Sequence, residues 1–203
     1  MIYKFLFAIL FFTASLSGLQ AQKRLFHGGI LGGLTMTQVQ NDNSGGFNKI
    51  GLYFGTYILV EFNDMWIGEI GMNYAGKGSR ETSRDKNDVY NKYVMRLGYI
   101  EFPVIVKFRL HKFDFELGPS FGFLIHSKEL DQYGEQQSPT EFKKFELAGI
   151  IGVNYMFNEK LGLDLRSQTS ILPIRTPNEG VYYTNGQAQY NIVISLAVRY
   201  FMW

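Results

Sequence analysis

Phe113-Asp114-Phe115-Glu116-Leu117-Gly118-Pro119-Ser120-Phe121-Gly122-Phe123-Leu124-Ile125 is the stretch that decides the fold. Phe113, Phe115, Leu117, Phe121, Phe123 and Ile125 share one face. Asp114, Glu116, Gly118, Ser120 and Gly122 share the other. Period-two alternation is the pattern of a β-strand, whose successive side chains point to opposite faces. Residues 145–157 repeat it, setting Phe145, Leu147, Ile151, Val153, Tyr155 and Phe157 against Glu146, Ala148, Gly152 and Asn154. Residues 160–171 set Leu161, Leu163 and Leu165 against Gly162, Asp164 and Arg166. In the last segment Tyr190, Ile192, Ile194, Leu196, Val198 and Tyr200 oppose Asn191, Ser195 and Arg199. Weaker versions occupy about 28–37, 48–60, 65–75 and 93–108, which makes eight strands.

The connections alternate in length. Three are short, Glu61 to Asp64, Leu110 to Lys112 and Asn158 to Lys160. Four are long and polar, at about 38–47, 77–91, 127–142 and 173–188. A soluble sandwich has no reason to sort its loops this way. An outer-membrane barrel does, with short periplasmic turns and long outer loops. An even strand number puts both ends of the chain at the periplasmic side, and strands of ten or more residues are long enough to cross a bilayer. The expected fold is all-β, an eight-stranded antiparallel up-and-down transmembrane β-barrel.

Composition agrees. The chain has 203 residues, 18 Phe, 13 Tyr, 22 Gly and no Cys, with 20 basic and 18 acidic residues for a net charge of +2. Near-neutrality without a dense basic run argues against nucleic acid as a partner. Absence of cysteine excludes a disulfide framework, a thiol nucleophile and cysteine metal sites. Met1 to Ala21 carries one charge, Lys4, then apolar Phe5 to Phe12, then small and polar residues. That is the layout of a secretory signal peptide, and its apolar part is shorter than the roughly 20 residues a spanning helix needs. The expected division is a cleaved signal at 1–21 and one barrel domain at 22–203.

The polarity of the two faces decides the environment. One face is nearly continuous Phe, Leu, Ile, Val and Tyr. The other carries Glu69, Glu101, Lys107, Arg109, Asp114, Glu116, Lys144, Glu146, Asp164, Arg166 and Arg199. A charge on the lipid face costs about 2–4 kcal/mol at the midplane. An eight-stranded barrel leaves an interior just wide enough for side chains to fill. The charged face is therefore expected inside, as an ion-pair network that fills the lumen, with Gly51, Gly55, Gly71, Gly118, Gly122, Gly152 and Gly162 relieving the crowding. Buried charges persist when paired and hydrogen-bonded. Lys107 or Arg109 is expected to pair with Asp114 or Glu116 across the tight turn. Pro103 and Pro119 cannot donate to a ladder, so each belongs at a bulge or a missing bond.

Aromatic residues gather at both expected interfaces, where amphipathic rings prefer to lie. Phe62, Trp66, Phe108, Phe113, Phe157, Tyr200, Phe201 and Trp203 fall at the periplasmic edge. Tyr74, Tyr93, Phe142, Phe145, Tyr182, Tyr183 and Tyr190 fall at the outer one.

Tyr99-Ile100-Glu101-Phe102-Pro103-Val104-Ile105-Val106-Lys107 resembles the Tyr-hydrophobic-Glu-hydrophobic-Pro-hydrophobic-Lys strand of the PorT-like outer-membrane β-barrel family. Gly118-Pro119-Ser120, Gly149 to Gly152 and Leu163 to Arg166 match the strands that follow it in that family. The resemblance is specific over roughly 95–172. It implies an outer-membrane barrel, and its namesake is an accessory of a protein secretion pathway. Nothing in this chain ties it to that task.

Candidate chemistry is thin. The histidines are His27, His111 and His126. His126, Ser127 and Glu129 have the residue types of a rim hydrolase, but neighbours on a strand point to opposite faces, so His126 and Ser127 are poorly placed to pair. No metal constellation, phosphate loop or dinucleotide fingerprint is present, so no cofactor is expected. The long loops, with Lys77, Arg80, Glu81, Arg84, Asp85, Lys86 and Asp88 in one and Tyr182, Tyr183 and Asn185-Gly186 in another, are the remaining binding surface. The expected function is non-enzymatic, structural or accessory, with outer-membrane lipid and other outer-membrane or secretion proteins as partners. A lipid-modifying enzyme at the outer rim is the alternative. A soluble ligand-binding barrel would require the apolar face to point inward.

Overall fold

The computed structural model describes residues 26–42, 44–81, 93–131, 134–136, 141–176 and 187–202. The expected signal at 1–21 and the residues Arg84, Asp85, Lys86, Asp88, Tyr182, Tyr183, Asn185, Gly186 and Trp203 lie outside these residues, and each of the four long loops is described only in part. The strands are β1 (Phe26–Gln40), β2 (Lys49–Glu61), β3 (Trp66–Arg80), β4 (Val94–Leu110), β5 (Phe113–Asp131), β6 (Gly134–Gln136), β7 (Phe145–Met156), β8 (Leu161–Ser170) and β9 (Tyr190–Phe201).

Every pairing is antiparallel. The order β4-β3-β2-β1-β9-β8-β7-β5 closes on itself because β4 also pairs with β5. Eight strands thus form a closed up-and-down barrel. β6 is a short addition that pairs with the outer end of β5, Glu129 opposite Gln136. The three tight turns lie at one end of the barrel, where β1 also begins and β9 ends. Asn63 organises the first turn, its side-chain oxygen accepting from the N–H groups of Met65 and Trp66. Asn158 does the same for Lys160 and Leu161.

The two faces sort as alternation requires. Leu117 is 65% exposed, Ile50 64% and Ile151 61%, whereas Arg166 is 2% exposed, Lys107 1% and Arg199 0%. Apolar side chains form the outer wall and charged ones the interior, the inverse of a water-soluble barrel. Most of the expected girdle residues face out: Phe62, Trp66, Phe113, Phe157 and Tyr200 are exposed at the short-turn end. Three do not. Phe201 points inward against Tyr57 and Tyr93 is buried at the outer end, because each takes the lumen-facing parity of β9 or β4, and Phe142 packs inward under the Arg175 guanidinium.

Three strands run further outward than expected: β1 continues to Gln40, β3 to Arg80 and β5 to Asp131, while β4 begins at Val94, opposite Arg80, about where the alternation places its start. Alternation persists there, but the outward positions turn basic (Arg80, Arg96, Lys128), so the hydrophobic signal stops before the strands do. The ladder is interrupted at the two prolines. β3–β4 pairing omits Gly71 and Met72 opposite Phe102 and Pro103, and β4–β5 pairing omits Val104 and Ile105 opposite Gly118 and Pro119. A bulge follows, since Gly98 opposes His126 while Tyr99 opposes Leu124, leaving Ile125 extra.

Candidate functional site

Inward parity on β3, β4, β5, β8 and β9 brings six charges together at mid-barrel. Glu69 lies 2.6 Å from Lys107, 2.7 Å from Arg166 and 2.5 Å from Arg199. Glu116 lies 2.6 Å from both Lys107 and Arg166. Asp164 lies 3.1 Å from Arg166 and 2.7 Å from Arg199. Three carboxylates thus share three cations, and each is bonded to more than one partner. The ring of Tyr57 lies under the Arg199 guanidinium at 3.8 Å, where a ring face attracts a cation.

Two layers flank this centre. On the outer side Lys77 lies 2.6 Å from Glu101 and 2.8 Å from Glu146. Gln168 donates to Glu101, and Ser170 and Asn191 donate to Glu146. On the periplasmic side Arg109 bridges Asp114 at 2.9 Å and Glu61 at 3.1 Å, and Asn154 donates to Asp114. Lys107 with Glu116 and Arg109 with Asp114 are direct cross-strand neighbours. Outermost, Arg175 binds Glu129 through two hydrogen bonds of 3.0 and 2.6 Å, a forked arrangement that fixes both groups. Tyr93 also donates to Glu129.

Ten of the eleven residues expected in the lumen lie in these layers; Arg109 is at the mouth and partly exposed. Lys144 does not belong to them. It precedes the first residue of β7 at the open outer rim, where the wall no longer encloses its side chain, and it is exposed. Lys77 takes the buried place instead. Its polarity places it in the long loop at 77–91, yet the parity of Glu69 continues through Gly71, Asn73 and Ala75 to Lys77, and that count is the signal in the sequence. Glu129 and Arg175 carried no such signal, because the latter lies beyond β8 and reaches β5 only across the intervening β7.

Gly33 marks a close approach in the wall. A Cβ there would sit 2.0 Å from the Leu196 carbonyl oxygen, so only glycine lets β1 and β9 approach at this seam. A cavity of about 610 Å³ opens at the periplasmic mouth, lined in part by His27, Glu61, Arg109 and His111. At the outer rim His126 faces outward over Gly98 and against Tyr74, while Glu129 points into the lumen and is held by Arg175. The acid and the base of the alternative enzyme site therefore lie on opposite sides of the wall. Among the described residues no group of three or more His, Cys, Asp or Glu could hold a metal ion.

A closed eight-stranded barrel with an apolar belt outside and charges inside is an outer-membrane barrel. The family model for "Outer membrane protein beta-barrel domain" matches residues 20–175, and the chain belongs to that family. The protein is located in the outer membrane. No curated protein matches this sequence. Among solved structures, the attachment invasion locus protein Ail of Yersinia pestis is similar at 14% identity, over 87% of this chain and 98% of its own, with a TM-score of 0.48. Neisserial surface protein A is similar at 12% identity, over 86% and 96%, with a TM-score of 0.49. OprG of Pseudomonas aeruginosa is similar at 11% identity, over 87% and 94%, with a TM-score of 0.41.

Proposed function

We propose that this protein is a non-enzymatic structural or accessory component of the outer membrane, closed to solute flow and acting through its outer loops and lipid-facing wall. The observation that carries the reading is the stack of charged layers across the lumen. Their side chains are bonded to one another, so opening a path would strand buried charges, at several kcal/mol each. The separation of His126 from Glu129 supports a role without catalysis at the rim.

The strand Tyr99 to Lys107 supports a finer assignment to the PorT-like group and, with it, an accessory role in protein secretion. The reading includes removal of residues 1–21 on export, leaving 22–203 as the mature barrel. Affinity purification of tagged protein from native outer membrane in mild detergent tests the accessory role. Stoichiometric recovery of secretion or assembly proteins is expected, and recovery of the barrel alone would refute it. Planar-bilayer recording tests closure, since steady conductance from the purified protein would contradict it. N-terminal sequencing of the same material tests cleavage after Ala21.

A further inference from the structure

The hydrogen-bond ladder between β2 and β3 does not run the whole height of the wall. β2 pairs with β1 as far out as Lys49 opposite Thr37, and β3 pairs with β4 as far as Arg80 opposite Val94. Between β2 and β3, however, the ladder stops at Tyr53 opposite Ala75. Beyond that point β3 turns to β1, whose Thr35 and Thr37 hydroxyls donate to the carbonyls of Gly76 and Gly78 at 2.5 and 2.7 Å. These bonds satisfy two carbonyls that β2 would otherwise have taken. They leave a groove of about 390 Å³ in the outer wall, lined by Ile50, Leu52, Tyr74 and Gly76 and rimmed by cations.

The rim is strongly basic. Lys49, Arg80 and Arg96 all line this groove, and His126 closes its far side. Arg96 is also the direct cross-strand neighbour of Lys128. Like charges placed opposite each other on one face of a sheet destabilise it. Lys128 has Glu135 at 2.7 Å. Among the described residues no carboxylate pairs with Lys49, Arg80 or Arg96. Apolar residues lie below the cations and the groove opens sideways at the outer edge of the apolar belt. A solute anion would need only the cations. The groove fits a molecule with a negative head and a hydrocarbon body.

We propose that the β2–β3 groove is a binding site for an anionic, phosphate-bearing lipid of the outer leaflet. Its phosphate is held by Lys49, Arg80 and Arg96, and an acyl chain lies along Ile50 and Leu52. Arginine and phosphate form forked, charge-assisted hydrogen bonds, which suit a headgroup held in one orientation.

The test is native mass spectrometry of the whole folded protein in detergent, titrated with diphosphoryl lipid A or with phosphatidylcholine. One tightly retained lipid A is expected, with phosphatidylcholine at least tenfold weaker. A basic residue near a charged lipid surface contributes about fivefold in affinity. Arg96→Gln should therefore weaken lipid A binding about fivefold, and Lys49→Gln with Arg80→Gln and Arg96→Gln together by about a hundredfold. Lys112→Gln, at a periplasmic turn, should leave it unchanged. None of the three cations touches the lumen network, so the variants should fold, as their migration on unheated gels will show. Equal retention of the two lipids, a triple variant within twofold of the parent, or displacement of lipid A by millimolar inorganic phosphate would each overturn the proposal.

Discussion

Replacing Glu69 by glutamine removes the carboxylate that lies within 2.7 Å of all three central cations. Glu116 and Asp164 would then face Lys107, Arg166 and Arg199, leaving one buried positive charge without compensation. Removing one partner of a buried ion pair costs about 3–5 kcal/mol, mostly from the charge left behind. A domain's whole stability is about 5–15 kcal/mol, so the loss is large. Lys107 is the cation to remove in compensation, because among the described residues its carboxylate partners are Glu69 and Glu116 alone. Glu69→Gln with Lys107→Met leaves two acids facing two arginines, and at least half of the lost stability should return. The assay is guanidinium unfolding of the protein folded in lipid vesicles, followed by tryptophan fluorescence, for the parent, both single variants and the double. High salt should leave the differences intact, since screening acts weakly on buried charges. A Glu69→Gln variant within about 1 kcal/mol of the parent would refute the reasoning. So would a double variant whose loss equals the sum of the singles, because neighbours in one network must couple.

Gly33→Ala should destabilise the β1–β9 seam by about 1–3 kcal/mol through overpacking, whereas Gly32→Ala, with open space around its Cβ, should be tolerated. Equal folded fractions of the two on unheated gels would contradict this. Leu117→Arg puts a charge on the lipid face near mid-wall and should cost about 2–4 kcal/mol in vesicles; no measurable loss would place that face in water. Burial pushes the Asp42 carboxyl, in the loop after β1, up to about 6 from its usual 3.8, against a hydrogen bond from the Ser44 N–H. The folded state therefore holds its proton longer than the unfolded chain. The stability Asp42 contributes is full below pH 3.8 and falls as pH rises through 6, by up to about 3 kcal/mol. An NMR titration of the Asp42 carboxyl with a midpoint near 4 would show that the group is not buried, and Asp42→Asn should abolish the pH dependence.

Alternation alone determined the strand count, the antiparallel meander and which face meets lipid, because a strand's period of two sorts side chains before any partner is known. Ten of the eleven charges assigned to the lumen follow from that parity, and so does the pairing of Lys107 with Glu116, since a tight turn sets the register of β4 and β5. Parity failed where a strand had no visible end. Lys77 read as loop because polarity marks a lumen-facing strand and a solvated loop alike. Lys144 read as buried because enclosure by the wall, rather than alternation, buries a side chain. Which acid meets which base was beyond the sequence: Glu69 and Arg199 are 130 residues apart and meet only when β4 joins β5 to close the ring. The gap between β2 and β3 is likewise tertiary. Both strands keep their pattern through it, and it exists because the Thr35 and Thr37 hydroxyls, reaching across from β1, offer β3 a different partner.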